Sequence, residues 1–277
     1  TNKLRKFSYW DNEKTVEMIN KLSDEHAILK QKLLFTSLDS IRYNINRKQK
    51  NLKFFEFDKA YSLEEKEYKE SSKIGIYITG LKQEEHFVNK PKNVSFFDVI
   101  NITNKVLNIA RISDFETKPK ADSKTLDMCV EIISNGVVLG EIGIVKKEIL
   151  KTFEISQDVY HAEIDWPNII MNFDKEFKFS ETPKFPQVQR DLSLVMNKDV
   201  KYNDVISVID LNKNKILKKV SLYDIYEGDS IGSNRIAYSM RFILQDESKT
   251  LGEKEINSTM DKLIKVFEEE LNAEIRK

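Results

Sequence analysis

Apolar residues in the last third of the chain switch between a spacing of two and a spacing near three and a half, and each switch predicts a new element. Leu192, Leu194 and Met196 alternate with Asp191, Ser193 and Val195. Pro183 and Pro186 precede them, lack backbone donors and suit the entry to a strand. Asn203 is placed to cap a helix carrying Val205, Ile206, Val208 and Ile209, which ends at the turn-forming Asn212 to Asn214. A second strand ends at Gly228, with Val220, Leu222, Asp224 and Tyr226 on one face and Ser221, Tyr223 and Ile225 on the other. Ile236, Tyr238, Met240, Phe242 and Leu244 alternate with Arg235, Ser239, Arg241 and Ile243 to give the clearest strand. From Glu253 onward, Ile256, Met260, Leu263, Ile264, Phe267 and Leu271 recur at three and four and predict an amphipathic helix. Ala273 and Ile275 add a short closing strand. The order β-α-β-β-α-β is that of the ferredoxin-like fold, with two helices on one face of an antiparallel sheet and the other face open to a ligand. Such sheets host unrelated activities, so the arrangement alone assigns no function.

The first 180 or so residues predict a separate α+β unit. Ser23 is placed to cap a helix whose apolar stripe is Ile28, Leu29, Leu33, Leu34, Leu38 and Ile41. Leu52 to Asp58 and Ile74 to Gly80 read as strands, and Phe96 to Ala110 reads as a helix with Phe97, Ile100, Val106, Leu107 and Ala110 inward. Leu126 to Ile133 and Val137 to Val145 flank Ser134-Asn135-Gly136, a hairpin turn signature, and Tyr160 to Ile164 adds a further strand. Lys118 to Ser123 reads as a polar surface loop, Glu64 to Glu67 as a solvated face, and Glu176 to Pro186 as the linker. The boundary falls between residues 181 and 182.

Composition narrows the chemistry. Forty-five Lys and Arg balance 45 Asp and Glu, so no whole-molecule field gathers polyanions. No apolar run approaches the roughly 20 residues of a membrane helix, and no export signal is visible, which predicts a soluble, cytoplasmic protein without a membrane partner. The single cysteine, Cys129, lies in an apolar strand and reads as a core residue. His26, His86 and His161 are too far apart in sequence for a zinc motif, and no phosphate-binding glycine loop or nucleophile elbow is present. Eight glycines and only Arg5, Arg42, Arg47 and Arg111 before the linker leave few groups to grip a triphosphate. Thr1 in place of Met hints at a piece of a longer protein.

Several motifs nevertheless stand in a familiar order. Lys184-Phe185-Pro186-x-Val188-x-Arg190-Asp191-Leu192-x-Leu194, Val220 through Gly228, Ala237-x-x-x-Arg241-Phe242 and Thr250-Leu251 closely resemble the carboxy-terminal domain of the bacterial phenylalanyl-tRNA synthetase β-subunit family. Upstream, Asn44-x-x-Arg47, Leu52 to Glu56, Phe96-Phe97-Asp98 and Gly140-Glu141-Ile142-Gly143 are similar to that family's catalytic-like module. The resemblance implies an α+β chain: a class II synthetase-like antiparallel-sheet module over residues 1–181, without catalysis, then a ferredoxin-like anticodon-binding domain over 182–277. Lys53-Phe54-Phe55-Glu56 carries aromatics where a working class II site has an arginine, and Lys120-Ala121-Asp122-Ser123 replaces a His-Pro-Gly-Arg segment common in the family.

The implied role is assembly with the synthetase α subunit and a second αβ heterodimer, together with binding of the phenylalanine tRNA anticodon stem-loop. No cofactor is expected in this chain; ATP and Mg belong to the α subunit, and the chain alone is expected to form no adenylate. Asp224 and Tyr226, on the exposed side of the second strand in the family's pattern, are implied anticodon contacts. Arg235 stands where many relatives carry a serine that helps read the base. Lys213, Lys215, Lys218 and Lys219 could meet backbone phosphates, or form a solvated turn. Residues 184–277 contain 16 basic and 16 acidic side chains by count, which predicts a shallow salt dependence. Arg190 and Asp191 point to opposite sheet faces and suit a structural ion pair. Two rival readings are a protein-interaction scaffold that never touches RNA and a small-molecule ligase with a cleft lined by Arg42 or Arg47 and Glu56.

Overall fold

A computed structural model describes residues 4–5, 7–21, 23, 27–84, 86–173 and 181–276. The chain divides into two compact units, Thr1–Phe177 and Lys178–Lys277. Residues 176–180 of the expected linker lie outside the described residues.

The first unit is built on a six-stranded sheet in the order β1-β2-β8-β7-β6-β5, antiparallel throughout. Its strands are β1 (Leu52–Glu64), β2 (Glu67–Thr79), β5 (Glu116–Pro119), β6 (Leu126–Ser134), β7 (Val137–Val145) and β8 (Val159–Asp165). A small ribbon pairs β3 (Leu81–Gln83) with β4 (Lys92–Asn93). Helix α1 (Leu34–Asn46) buries Leu34, Phe35, Leu38 and Ile41 in a cluster with Tyr77, Leu126, Val145 and Val159. Helix α2 (Phe96–Ile109) buries Val99 and Leu107 with Ile76, Ile78, Ile142, Ala162 and Ile164. Adjacent strand residues therefore supply separate cores on opposite faces, the period-two consequence of a pleated strand. Short helices α3 (Lys147–Thr152) and α4 (Trp166–Asn172) follow β7 and β8.

Several expectations change here. The helix begins at Leu34, not after Ser23, because the preceding segment is extended: Glu17 bridges Ile28, and the Leu29 N–H donates to the Val16 carbonyl. Strands β1 and β2 run well beyond Asp58 and back before Ile74, in register through Glu64↔Glu67. Glu65 and Lys66 adopt positive φ and make the tight turn, so the charge run is a hairpin tip. Phe97 is exposed, since it sits on the outer side of the first turn of α2; the buried stripe is Val99, Thr103 and Leu107. Lys118 and Pro119 belong to edge strand β5, and Ser123 is buried, its hydroxyl accepting from the Leu126 N–H. The expected hairpin at Asn135-Gly136 is present, with positive φ at both residues.

The second unit has strands β9 (Val188–Asn197), β10 (Leu217–Tyr226), β11 (Arg235–Leu244) and β12 (Glu274–Arg276) in the order β10-β11-β9-β12. Helices α5 (Tyr202–Asn212) and α6 (Glu253–Leu271) bury Val205, Ile209, Ile256, Leu263 and Phe267 against Leu194, Met196, Met240 and Phe242 on one face of the sheet. This is the β-α-β-β-α-β arrangement read from the periodicity. Asn272 ends α6 in the left-handed region, and the Ala273 N–H returns to the Phe267 carbonyl.

Candidate nucleic-acid interface

The register of the second sheet assigns each side chain to a face. Cross-strand partners share a face, so Tyr238↔Leu194 and Met240↔Leu192 lie on the helix side, while Ala237↔Val195, Ser239↔Ser193 and Arg241↔Asp191 lie on the other. Helices α5 and α6 lie on the other side, and the short 3-10 turn Asp229–Ile231 reaches this second face at its Tyr226 end. Its accessible floor is small: Ser239 and Ser193 are half-buried, while Ala237 and Val195 are buried.

Strand β10 reaches this face only through an irregularity. Leu222 pairs with Met240 and Asp224 with Ser239, so Tyr223 is an extra residue, a β-bulge. Regular alternation would put Asp224 and Tyr226 on the side of Val220 and Leu222, which pack against the helix-side core. After the bulge, Asp224↔Ser239 and Tyr226↔Ala237 instead join the open face. The sequence reading placed all four residues on one face, and the bulge separates them into two pairs. Ile225 takes the helix side, beyond the core, and is exposed.

Asp224 is exposed, and Tyr226 is 42% exposed. The Tyr226 hydroxyl lies 3.0 Å from the Ser230 hydroxyl, which fixes the ring beside Gly228. A Cβ at Gly228 would come within 2.4 Å of that hydroxyl, so a larger residue there would push the Tyr226 ring aside. Arg235 is occupied within its own unit: one nitrogen donates to the Val195 carbonyl at 3.1 Å and another pairs with Glu274 at 2.8 Å. Lys213 pairs with Asp210 and Lys218 with Glu247, whereas Lys215 and Lys219 have no ion pair among the described residues. Lys219 shares the open face through its pairing with Ile243.

Asp191 pairs with Arg241 across the sheet, the structural ion pair anticipated for this dipeptide, while Arg190 pairs with Glu253 at the start of α6. The sequence reading did not single out Tyr223 or Arg241 as site residues. Arg241 donates from Nε and Nη2 to the two Asp191 oxygens at 3.0 Å each, and its guanidinium carbon lies 4.9 Å from the Tyr223 ring centroid. The signal available in the sequence was only a tyrosine beside two implied contacts.

The first unit carries a second polar arrangement. Register places Glu56, Gly75, Glu163, Glu141 and Glu131 in one row across β1, β2, β8, β7 and β6. The segment before α1 runs over that row. Lys30 bonds Glu56 at 2.6 Å, Lys32 bonds Glu141 at 2.6 Å, and the Leu33 N–H donates to Glu163 at 3.1 Å. Lys120 joins from the side, pairing with Glu131 and Glu141. Two lysines hold the Glu141 carboxyl down at about 2 against its own desolvation, while burial pushes Glu163 up.

A cleft of about 550 Å³ opens beside this layer, lined in part by Tyr61, Lys73 and Asp165. Among the described residues, five of the six lysines lining it are in ion pairs, and no arginine lines it. Arg42 pairs with Asp39 and Glu154, Arg47 stacks on Tyr43, and Glu56 is held by Lys30 and Ser37, so the cleft proposed for a small-molecule ligase is not assembled. No cluster of three or more His, Cys, Asp or Glu side chains suited to a metal occurs among the described residues, and no helix there is long and apolar enough to cross a membrane.

Two family descriptions match the chain in this order. Residues 1–166 match the phenylalanyl tRNA synthetase beta chain CLM domain, and residues 183–276 the ferredoxin-fold anticodon binding domain. The chain belongs to the phenylalanyl-tRNA synthetase β-chain family. The phenylalanine–tRNA ligase β subunit of Bacteroides thetaiotaomicron is 31% identical over 99% of this chain and 36% of its own length. That of Porphyromonas gingivalis is 30% identical, with coverage of 99% and 36%. That of Bacillus subtilis is 28% identical, with coverage of 92% and 32%. The chain thus spans about a third of the length of these curated β-subunit relatives. A solved pyrrolysyl-tRNA synthetase from Desulfitobacterium hafniense aligns at TM-score 0.43 and 14% identity over 57% of this chain and 52% of its own, too distant to bear on its chemistry.

Proposed function

We propose that the chain serves phenylalanyl-tRNA aminoacylation without performing its chemistry. Residues 1–181 act as a non-catalytic module that assembles with the ligase α subunit and a second αβ heterodimer. Residues 182–277 bind the anticodon stem-loop of phenylalanine tRNA on the open sheet face. ATP and Mg act at the α subunit, in the cytoplasm.

The observation that carries this reading is the β10 bulge, which aims Asp224 and Tyr226 onto the face opposite helices α5 and α6. Unpaired RNA bases are held by aromatic stacking, worth about 1–3 kcal/mol each, and read along their Watson–Crick edges. Tyr226 supplies the aromatic surface. Asp224 can accept from the edge of a guanine. With Arg235, Lys213 and Lys218 held in ion pairs, few phosphate charges are neutralised, and the salt dependence should be shallow.

The test is binding of phenylalanine tRNA by the reconstituted enzyme after Tyr226→Ala. Loss of about tenfold or more in affinity is expected from the stacking energy. Unchanged affinity would favour a scaffold without RNA contact. Phenylalanine-dependent ATP–pyrophosphate exchange by this chain alone would refute the non-catalytic assignment of its first unit.

A further inference from the structure

We infer that Tyr223, backed by Arg241, is a second stacking position for an unpaired nucleobase on the same sheet face, beside Asp224. The inference deepens the anticodon reading and rests on it.

Several observations converge. A bulge forfeits regular ladder pairing, and here the residue it extrudes enters no core: Tyr223 is 54% exposed. Its ring lies where a stacking surface is needed, on the face of Asp224 and Arg241 and three residues from Tyr226, about 10 Å or less along the strand. Its hydroxyl has no hydrogen-bond partner among the described residues, so the ring is anchored by the guanidinium of Arg241. That contact is within cation–π range.

Arg241 is itself oriented. Two hydrogen bonds from its fork to Asp191 fix the plane and satisfy the charge, which leaves a flat, neutralised surface instead of a mobile phosphate-seeking cation. Guanidinium planes stack on bases as aromatic rings do. Between the Tyr223–Arg241 pair and the far strand lie the Ser239 and Ser193 hydroxyls, neither hydrogen-bonded among the described residues, within the same cross-strand row. They supply donors and acceptors to the edge of a base seated on Tyr223. The ligand class is a single-stranded RNA loop that presents two splayed bases, one on Tyr226 and one on Tyr223.

The experiment uses this chain and an RNA hairpin with the anticodon stem-loop sequence of phenylalanine tRNA, one loop base at a time replaced by the fluorescent purine 2-aminopurine. Stacking quenches its emission. Tyr223→Ala is expected to weaken binding about tenfold or more and to restore emission at one loop position, while Tyr223→Phe keeps both affinity and quenching. Tyr223→Leu retains apolar bulk at this surface site and should match the alanine variant toward RNA at an unchanged thermal midpoint. Affinity within about twofold of the parent and an unaltered quench in Tyr223→Ala, with RNA still lost in Tyr226→Ala, overturns the Tyr223 assignment alone. Silence of both variants overturns the anticodon reading as well.

Discussion

Glu163 on β8 accepts a hydrogen bond from the Leu33 backbone N–H at 3.1 Å, so a carboxyl 130 residues away satisfies a donor at the start of α1. Lys32, next in sequence, pairs with Glu141 in the same cross-strand row. The first unit therefore covers its own row of glutamates with its own chain.

Burial raises the Glu163 carboxyl above its ordinary value of 4.5. The folded protein holds this proton more tightly than the unfolded chain does. Stability is therefore lost as pH rises past the ordinary value, and the loss is complete above the raised folded one. Glu163→Gln keeps an acceptor for Leu33 and removes the titration. It should raise stability near neutral pH and flatten the pH dependence of urea unfolding. A variant less stable than the parent throughout, with the parent's slope unchanged, would contradict the protonation argument.

Glu141 behaves in the opposite sense. Lys32 and Lys120 depress it from 4.5 to about 2, so its contribution is present above the unfolded value and is lost as pH falls through the folded one. That span corresponds to roughly 3 kcal/mol. Glu141→Gln leaves Lys32 without its carboxylate, while Lys120 keeps Glu131, and should destabilise at neutral pH, with a smaller acid-induced loss between pH ~4.5 and ~2 than the parent shows. Denaturant unfolding over that range measures both effects.

Cys129 is buried among Leu126, Val145 and neighbours, and burial, with Glu141 nearby, pushes its thiol up to about 11. A thiol reagent should react with it only as the first unit opens, at a rate that rises with denaturant. Rapid stoichiometric labelling of the native chain would show the core placement to be wrong.

Ser239 lies at the centre of the open sheet face, on the side opposite the helix-packed core. Ser239→Trp should occlude the floor between Tyr226 and Arg241 and abolish stem-loop binding, with a change in stability of about 0.5 kcal/mol or less. Calorimetric Tm and RNA titration on the same sample separate the two effects.

Much of the second unit was legible in the sequence because its core is local and strictly periodic. Leu194, Met196, Met240, Phe242 and Phe267 announce their face by spacing alone. The bulge was not legible, since no glycine or proline marks Tyr223 and the alternation across Leu222 and Asp224 looks regular. In the first unit, Ile28, Leu29 and Leu33 mimic a helical stripe, yet long-range partners hold this stretch extended: Glu17 for Ile28, Glu56 for Lys30 and Glu141 for Lys32. The Glu65-Lys66 turn lacks the Asn or Gly that its positive φ values favour, and so read as a solvated charge run. Asp224 and Tyr226 stood out only by family resemblance, and Arg235 is tied to Val195 and Glu274 by contacts no local pattern encodes.

The β1–β2 hairpin pairs 13 residues on each side of a two-residue turn, whereas the Leu33 cap waits for β8 to arrive. Contacts close in sequence cost little loop entropy, so this ribbon can zip early and the anchoring of α1 comes late. A turn-weakening change at Glu65 or Lys66 should therefore slow refolding, while Glu163→Ala should chiefly hasten unfolding. The order in which the first unit acquires its shape is thus written in how far apart its partners sit along the polypeptide.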